Sequence, residues 1–206
     1  MSAKLRIGVL GSGNGTNCEA IMDACERGVI PGAVVIVVSD NPEAFILERA
    51  RRHNVPTATI GPSAYKTRLE PELEEKLVSI LKEAGVELVA LAGFMRVLKQ
   101  PMLKAFGGRI MNIHPSLLPA FPGLKAWEQA LQYGVKVTGV TVHFVDEGVD
   151  TGPIILQEAV PILPGDTPES LHQRLHAVEY RLYPEAIRLF AENRLRIVGR
   201  RVELSH

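Results

Sequence analysis

Short runs of apolar, largely β-branched residues recur along this 206-residue chain, and a turn and a segment of helical spacing generally follow each one. Leu5 to Leu10, Ala33 to Val38, Val86 to Ala92 and Arg109 to Met111 are runs of this kind. They are apolar almost throughout, not at every second position, as expected of strands covered on both faces. Parallel strands joined by crossover helices provide that cover. The pattern predicts an α/β fold with a mostly parallel, twisted sheet of about seven strands and helices on both faces, Rossmann-like in its N-terminal half. With 46% apolar residues the chain can bury such a core as one domain over 1–206, its two halves meeting at about 108 and 109.

The first strand runs into Gly11-Ser12-Gly13-Asn14-Gly15-Thr16-Asn17, and Thr16 or Asn17 can cap a helix reaching about Arg27. Strand, glycine loop and helix start together make an anion site, because backbone N–H groups and the positive end of the helix dipole face the same point. The spacing is G-x-G-x-G, with Thr16 where the dinucleotide fingerprint has its third glycine, so a monophosphate suits it better than a dinucleotide. The other reading is a glycine turn without ligand. Asp40 lies near the place of a nicotinamide fold's ribose acid, but the glycine pattern argues against that use. A helix over Glu43 to His53, a short strand over Pro56 to Ile60 and a charged helix from about Arg68 to Ala84 follow, the last read as a solvated face. After the strand Val86 to Ala92, Met95-Arg96-Val97-Leu98 either lines a flat ligand or is plain core with a snorkelling arginine. A short helix over Met102 to Phe106 leads to the Arg109 strand.

The second half opens on Asn112-Ile113-His114-Pro115-Ser116-Leu117-Leu118-Pro119-Ala120-Phe121-Pro122-Gly123, with three prolines and a glycine in its last nine residues. Such a backbone can continue neither a helix nor a central strand, and a stiff loop at a strand's carboxyl end is where open α/β sheets carry chemistry. Asn112 and His114 are two apart, so on an extended backbone they point the same way. An amide donor beside an imidazole suits a developing oxyanion and a proton in flight, although a proline turn with a satisfied histidine would look the same. A helix over Ala126 to Tyr133 and a strand from Val137 to Val145 come next. The strand runs into an acidic loop ending at Asp150, and a further strand spans Ile154 to Val160. That loop can bring a carboxylate to His114. Thr167 and Pro168 start a late helix that passes Glu179 and reaches about Glu192, with Pro184 expected to kink or split it. The tail from Arg194 suggests an edge strand.

Composition excludes several classes. Twenty-three basic residues balance 23 acidic ones, so no nucleic-acid or membrane partner is expected. No apolar run approaches the ~20 residues of a transmembrane helix, and Met1-Ser2-Ala3-Lys4 leaves no room for a signal peptide, so a cytoplasmic protein is expected. Cys18 and Cys25 are read as reduced packing residues, too far apart along one helix for a disulfide. No metal is expected, since no His or Cys pair has ligand spacing. His53, His172, His176 and His206 read as surface or helix residues and His143 as a structural strand residue.

Asn112 to Pro119 and Asp150 to Pro153 closely resemble the folate-dependent formyltransferases, whose pattern is Asn-x-His-Pro-Ser-Leu-Leu-Pro and, after a strand, a loop with an Asp before Gly-Pro. The resemblance runs from about Ile7 to about Arg196, and within the family it is nearest to the members that act on glycinamide ribonucleotide. It implies formyl transfer from 10-formyltetrahydrofolate to the amine of that ribonucleotide in purine biosynthesis, by direct attack through a tetrahedral intermediate. The first half would then bind the nucleotide phosphate, and the second would carry catalysis and folate contacts. By resemblance Asn112 and His114 hold the oxyanion, and Asp150 stabilises cationic His114. Gly15, Thr16 and Asn17 hold the ribose phosphate, and Glu179 meets the same substrate, unless it is only an exposed helix charge. Met95, Arg96, Val97, Leu98 and Asn112 line the pterin end of the folate, with Val97 replacing the family's Ile. Arg68 falls where the family has an arginine near the folate's acidic tail, or is a surface arginine. The loop from Asp146 to Asp150 closes over the pterin, its Glu147 and Gly148 departing from the commonest family residues. The expected partners are these small molecules, with the protein a monomer or homodimer. The alternatives are another folate-dependent formyltransferase, formyltetrahydrofolate hydrolase and a non-catalytic nucleotide-binding domain. A formyltransferase acting on tRNA would need a carboxyl-terminal barrel and the hydrolase an amino-terminal regulatory domain, and neither is expected in 206 residues. A binding domain would show a broken Asn112, His114 and Asp150 set.

Overall fold

A computed structural model describes residues 4–205; Met1 to Ala3 and His206 lie outside the described residues, and with them the expectations placed there. By its contacts the chain forms two compact units, Met1–Met111 and Asn112–His206.

The first unit alternates strand and helix: β1 (Leu5–Leu10), α1 (Thr16–Glu26), β2 (Gly32–Ser39), α2 (Phe45–Arg52), β3 (Thr57–Thr59), α3 (Pro71–Glu83), β4 (Leu88–Leu91) and α4 (Gln100–Phe106). Its strands lie in the order β3-β2-β1-β4 and every pairing is parallel. The continuous apolar runs explain this: Ile7, Val9, Leu10, Val37, Val38 and all of β4 are buried, leaving no face for water. Burying each such side chain stabilises the fold by about 1.5–3 kcal/mol. The division between the units falls within β5 (Ile110–His114), whose lead-in residue Arg109 accepts a backbone bond from Val89 at 2.9 Å.

In the second unit follow α5 (Ala126–Tyr133), β6 (Val137–Phe144), β7 (Ile154–Pro161), α6 (Pro168–Ala191), β8 (Leu195–Val198) and β9 (Arg201–Leu204). β6 and β7 pair antiparallel, β9 meets β7 in parallel at Ile154 and Arg201, and β8 and β9 form an antiparallel hairpin. The fold is thus α/β and mostly parallel, but with nine strands among the described residues where about seven were expected. The tail holds two strands, not one, because Gly199, at φ +59°, supplies the left-handed residue of a two-residue turn.

Three other expectations change. The helix expected from Arg68 starts at Pro71, and Arg68 instead bridges Val97. α3 is not wholly a solvated face: Glu74 is 1% exposed and accepts the backbone N–H of Lys99 at 2.6 Å and of Met102 at 3.4 Å, capping α4. Pro184 does not divide α6, which runs unbroken for 24 residues with that proline buried in it. No helix is long and apolar enough to cross a membrane among the described residues.

Candidate active site

In the first unit, the glycine loop joins β1 to α1. Gly15 is the residue before α1 and is left-handed at φ +77°; a Cβ there would meet Ile46 of α2 at 2.5 Å, so only glycine fits. Thr16 is the first residue of the helix and not its cap, and the cap position offers no side-chain hydrogen bond. The N–H groups of the first turn of α1 and the positive end of its dipole lie at this loop. Gly13 has open space where a Cβ would stand. Arg49 braces the loop from α2, donating to the Asn14 carbonyl at 2.9 Å and to Asn14 Oδ1 at 3.0 Å while pairing with Glu19. Arg49 was not foreseen as part of this loop, and only the α1–α2 contact reveals it.

The same loop ties to the segment after β4. Ser12 N–H donates to the Gly93 carbonyl at 3.1 Å, and Met95 N–H donates to Ser12 Oγ at 2.9 Å. Met95 is 51% exposed, an apolar surface beside Gly93, which has open space at its Cα. Leu98 is buried, and Val97 N–H donates to the Thr67 carbonyl at 2.8 Å. The guanidinium of Arg96 is committed to Asp40, with Nε 2.5 Å from Oδ2, and to the Tyr65 carbonyl. That pair gives Asp40 a structural task, and Arg96 neither snorkels nor presents a spare charge. The Arg68 guanidinium lies 4.0 Å over the Tyr65 ring.

In the second unit, β5 carries Asn112 and His114 into the proline loop. Thr141 of β6 pins that loop, donating to the Ser116 carbonyl at 2.6 Å and accepting the Leu118 N–H at 3.1 Å. Gln157 of β7 adds a bond to the Leu118 carbonyl at 2.8 Å. Gly139 lets the loop come close, since a Cβ there would lie 2.6 Å from Leu117 and 2.2 Å from the Glu158 carbonyl.

Asp150 gathers the polar groups. Its Oδ2 accepts the Gly123 N–H at 2.8 Å and lies 3.4 Å from His114 Nδ1. Its Oδ1 accepts from Asn112 Nδ2 at 3.3 Å and lies 3.7 Å from His143 Nε2. Burial opposes its ionisation, yet the hydrogen bond from His143, the charge of His114 and the Gly123 N–H hold the carboxyl below its ordinary value. His114 Nε2 meets the Phe121 carbonyl at 2.8 Å, so acceptors face both ring nitrogens. Only the doubly protonated ring satisfies both.

His143 is the neighbour missed by reading it as a strand residue alone. Its Nδ1 faces the Phe144 carbonyl at 2.8 Å, and its Nε2 lies 3.3 Å from Asn112 Nδ2 and 3.7 Å from Asp150 Oδ1. The available signal was a polar residue in a buried strand that feeds the Asp150 loop. Elsewhere in this unit Glu179, on α6, is buried and accepts from His176 Nδ1 at 2.7 Å.

Residues 5–187 match the formyl transferase family, and the chain belongs to that family. It is 44% identical over 183 residues to the phosphoribosylglycinamide formyltransferase of Bacillus subtilis (strain 168), covering 89% of this chain and 93% of that one. Glycinamide ribonucleotide transformylase 1 from Symbiobacterium toebii has a crystal structure matching at TM-score 0.95 and 57% identity, over 100% of this chain and 96% of that one. A formyltetrahydrofolate deformylase from Pseudomonas syringae matches at TM-score 0.89 but 23% identity, over 100% of this chain and 67% of that one; this likeness is one of fold.

Proposed function

We propose that this chain transfers the formyl group of 10-formyltetrahydrofolate to the amine of glycinamide ribonucleotide, a step of purine biosynthesis carried out in the cytoplasm. Family membership and relatives bearing that activity in their names support the reading. The observation that carries it is the set of polar groups around Asp150, which offers an amide, an imidazole with acceptors at both nitrogens and an ionised carboxylate.

The folate supplies an activated formyl group. As the amine attacks the formyl carbon, negative charge develops on the formyl oxygen. Asn112 and His114 are the donors proposed for that oxygen, each a contact worth about 3–4 kcal/mol in comparable acyl transfers. The Asp150 carboxylate, 3.4 Å from Nδ1, faces the His114 ring from the side away from the Phe121 carbonyl contact. The proton that His114 holds toward the Phe121 carbonyl passes to the departing folate nitrogen, and the ring then accepts the proton the amine sheds. No metal and no nucleophilic serine or cysteine is needed for this balance.

Gly15, Thr16 and Asn17 are proposed to hold the ribose phosphate, because α1 begins there without a side-chain cap. Glu179 is proposed to meet the same substrate. Met95 and the open Gly93 suit a flat apolar ring, Leu98 is buried three residues on and is proposed to add to it, and Arg96 fixes the segment through Asp40. Val97 and Asn112 complete the pterin contacts, and Arg68 would face the acidic tail of the folate.

The test is incubation with glycinamide ribonucleotide and 10-formyltetrahydrofolate, following tetrahydrofolate release. Release that depends on the ribonucleotide is expected. Release without it would make the chain a hydrolase, and no release with bound ribonucleotide would make it a binding domain.

A further inference from the structure

We propose that His176 is the positioning residue for Glu179: its ring N–H fixes the plane in which that buried carboxylate meets the ribonucleotide. The inference rests on the reading of Glu179 as a substrate contact. Glu179 is 3% exposed, and a carboxylate so far from water needs a donor fixed in place. His176 sits three residues earlier on the same face of α6, with Nδ1 2.7 Å from Glu179 Oε2. A carboxylate only accepts, so Nδ1 carries the proton in either charge state of the ring.

The ring that donates is itself held. His172 stacks face to face on Trp127 of α5, with centroids 3.8 Å apart and planes 7° apart. His176 lies 4.0 Å from His172 on one side and runs parallel to Tyr180, 5.6 Å away, on the other. Four aromatic rings thus form a ladder that leaves His176 little rotational freedom, and its third ring, His176, turns Nδ1 to Glu179. Burial and the neighbouring His176 push the His172 imidazole down, so His172 serves as a neutral stacking partner. A purely packing role would need the rings and no N–H. A positioning role needs the N–H, and the rings only to aim it.

Two substitutions separate these roles. His176→Phe keeps a ring between His172 and Tyr180 but has no donor. His176→Asn loses the ring but places an amide N–H near the position of Nδ1. In steady-state assays with glycinamide ribonucleotide and 10-formyltetrahydrofolate, His176→Phe is expected to raise the ribonucleotide KM about 10-fold, the scale of losing a hydrogen bond to a charged group. The folate KM should stay put and kcat should remain within about twofold, because the contact is made in ground state and transition state alike. His176→Asn is expected to keep most of the wild-type ribonucleotide KM. A wild-type KM in His176→Phe, or an equal rise in His176→Asn and His176→Phe, would overturn the proposal in favour of ring packing. Glu179→Gln distinguishes the underlying reading. If it leaves the ribonucleotide KM unchanged, Glu179 is no substrate contact and both readings fall. If it raises the KM while His176→Phe does not, only the role of His176 falls. Adding His176→Phe to Glu179→Gln should cost little more, since the two act through one contact. Thermal melts of each variant check that the fold is intact.

Discussion

Asp150 adopts a left-handed backbone, φ 54°, which costs a non-glycine residue about 1–3 kcal/mol. The Gly123 N–H, the Asn112 amide and the two imidazoles around its carboxylate offset that cost, and all of them would lose their common partner if the charge went. Asp150→Asn keeps the shape and removes the charge. We expect kcat to fall on the order of 100-fold while the ribonucleotide KM changes only a few-fold, as for a group that acts mainly in the transition state. Equal kcat values would reduce Asp150 to a turn residue. The pH dependence has a definite sign. The folded carboxyl is lowered from 3.8, so its contribution to stability is present above that value and is lost as the pH falls through the lower, folded one. The difference in melting temperature between wild type and Asp150→Asn should therefore persist through mildly acid pH and shrink only below about pH 4. Gly139 makes a second claim at this scale. Gly139→Ala sets a methyl group against Leu117 and the Glu158 carbonyl, and we expect a loss of about 1–3 kcal/mol, read as a Tm lower by several degrees. That Asn112, His114 and Asp150 come together could be expected from the sequence, because each stands in a short motif. His143, Thr141 and Gln157 could not, because their contacts depend on which face of a strand meets which loop.

Helix α6 shows how local chemistry can be read while tertiary chemistry is hidden. Thr167 caps it as expected, accepting from the Ser170 N–H at 3.2 Å while Ser170 Oγ accepts the Thr167 N–H at 3.0 Å. The residue before it, Asp166, was not foreseen to matter. The Arg174 guanidinium grips its carboxylate with both nitrogens, at 2.6 Å from each oxygen for Nη2, and brings the carboxyl down to about 2. Asp166→Asn should lower the Tm at pH 7. Because the folded value lies below the unfolded 3.8, the difference from wild type should be full above pH 4 and fade as the pH approaches about 2. A difference independent of pH would point to the amide's shape and not to the lost charge. Other contacts that the sequence hides have the same origin. Glu74 looked like one more charge on α3, since nothing nearby in sequence announces the α4 end that it caps. The weak alternation after Arg194 suggests one edge strand, whereas Gly199-Arg200 forms a two-residue turn between β8 and β9. Pro184 is expected to kink or split the helix; α6 is not split, because the proline's neighbours Leu182, Tyr183, Ala186 and Ile187 are buried with it, and that packing outweighs the one backbone bond it removes.

Across the molecule, the alternation of buried runs with helices was enough to give the mostly parallel α/β class, since few other arrangements bury strands on both faces. It could not say what the first loop binds; that rested on one glycine spacing. The spacing has a physical meaning. Gly15 lies against Ile46 and begins α1 without a side-chain cap, while Arg49 fixes Asn14 beside it. A compact anion can lie on such a helix start, whereas a dinucleotide needs its third glycine one position later for close helix packing, where Thr16 stands. Binding to the native state alone raises stability by about 2.7 kcal/mol at a ligand concentration 100 times its Kd. For a chain of this size that corresponds to a rise of roughly 5–10 °C in Tm. We therefore expect glycinamide ribonucleotide to raise the Tm by that amount and a nicotinamide dinucleotide to leave it unchanged. Arg49→Ala should reduce the ribonucleotide's shift, because Asn14 loses its brace while the helix start remains. A comparable shift from the dinucleotide, abolished by the ribonucleotide in competition, would show that the first unit is a dinucleotide fold after all and that the phosphate assignment of Gly15 to Asn17 is wrong.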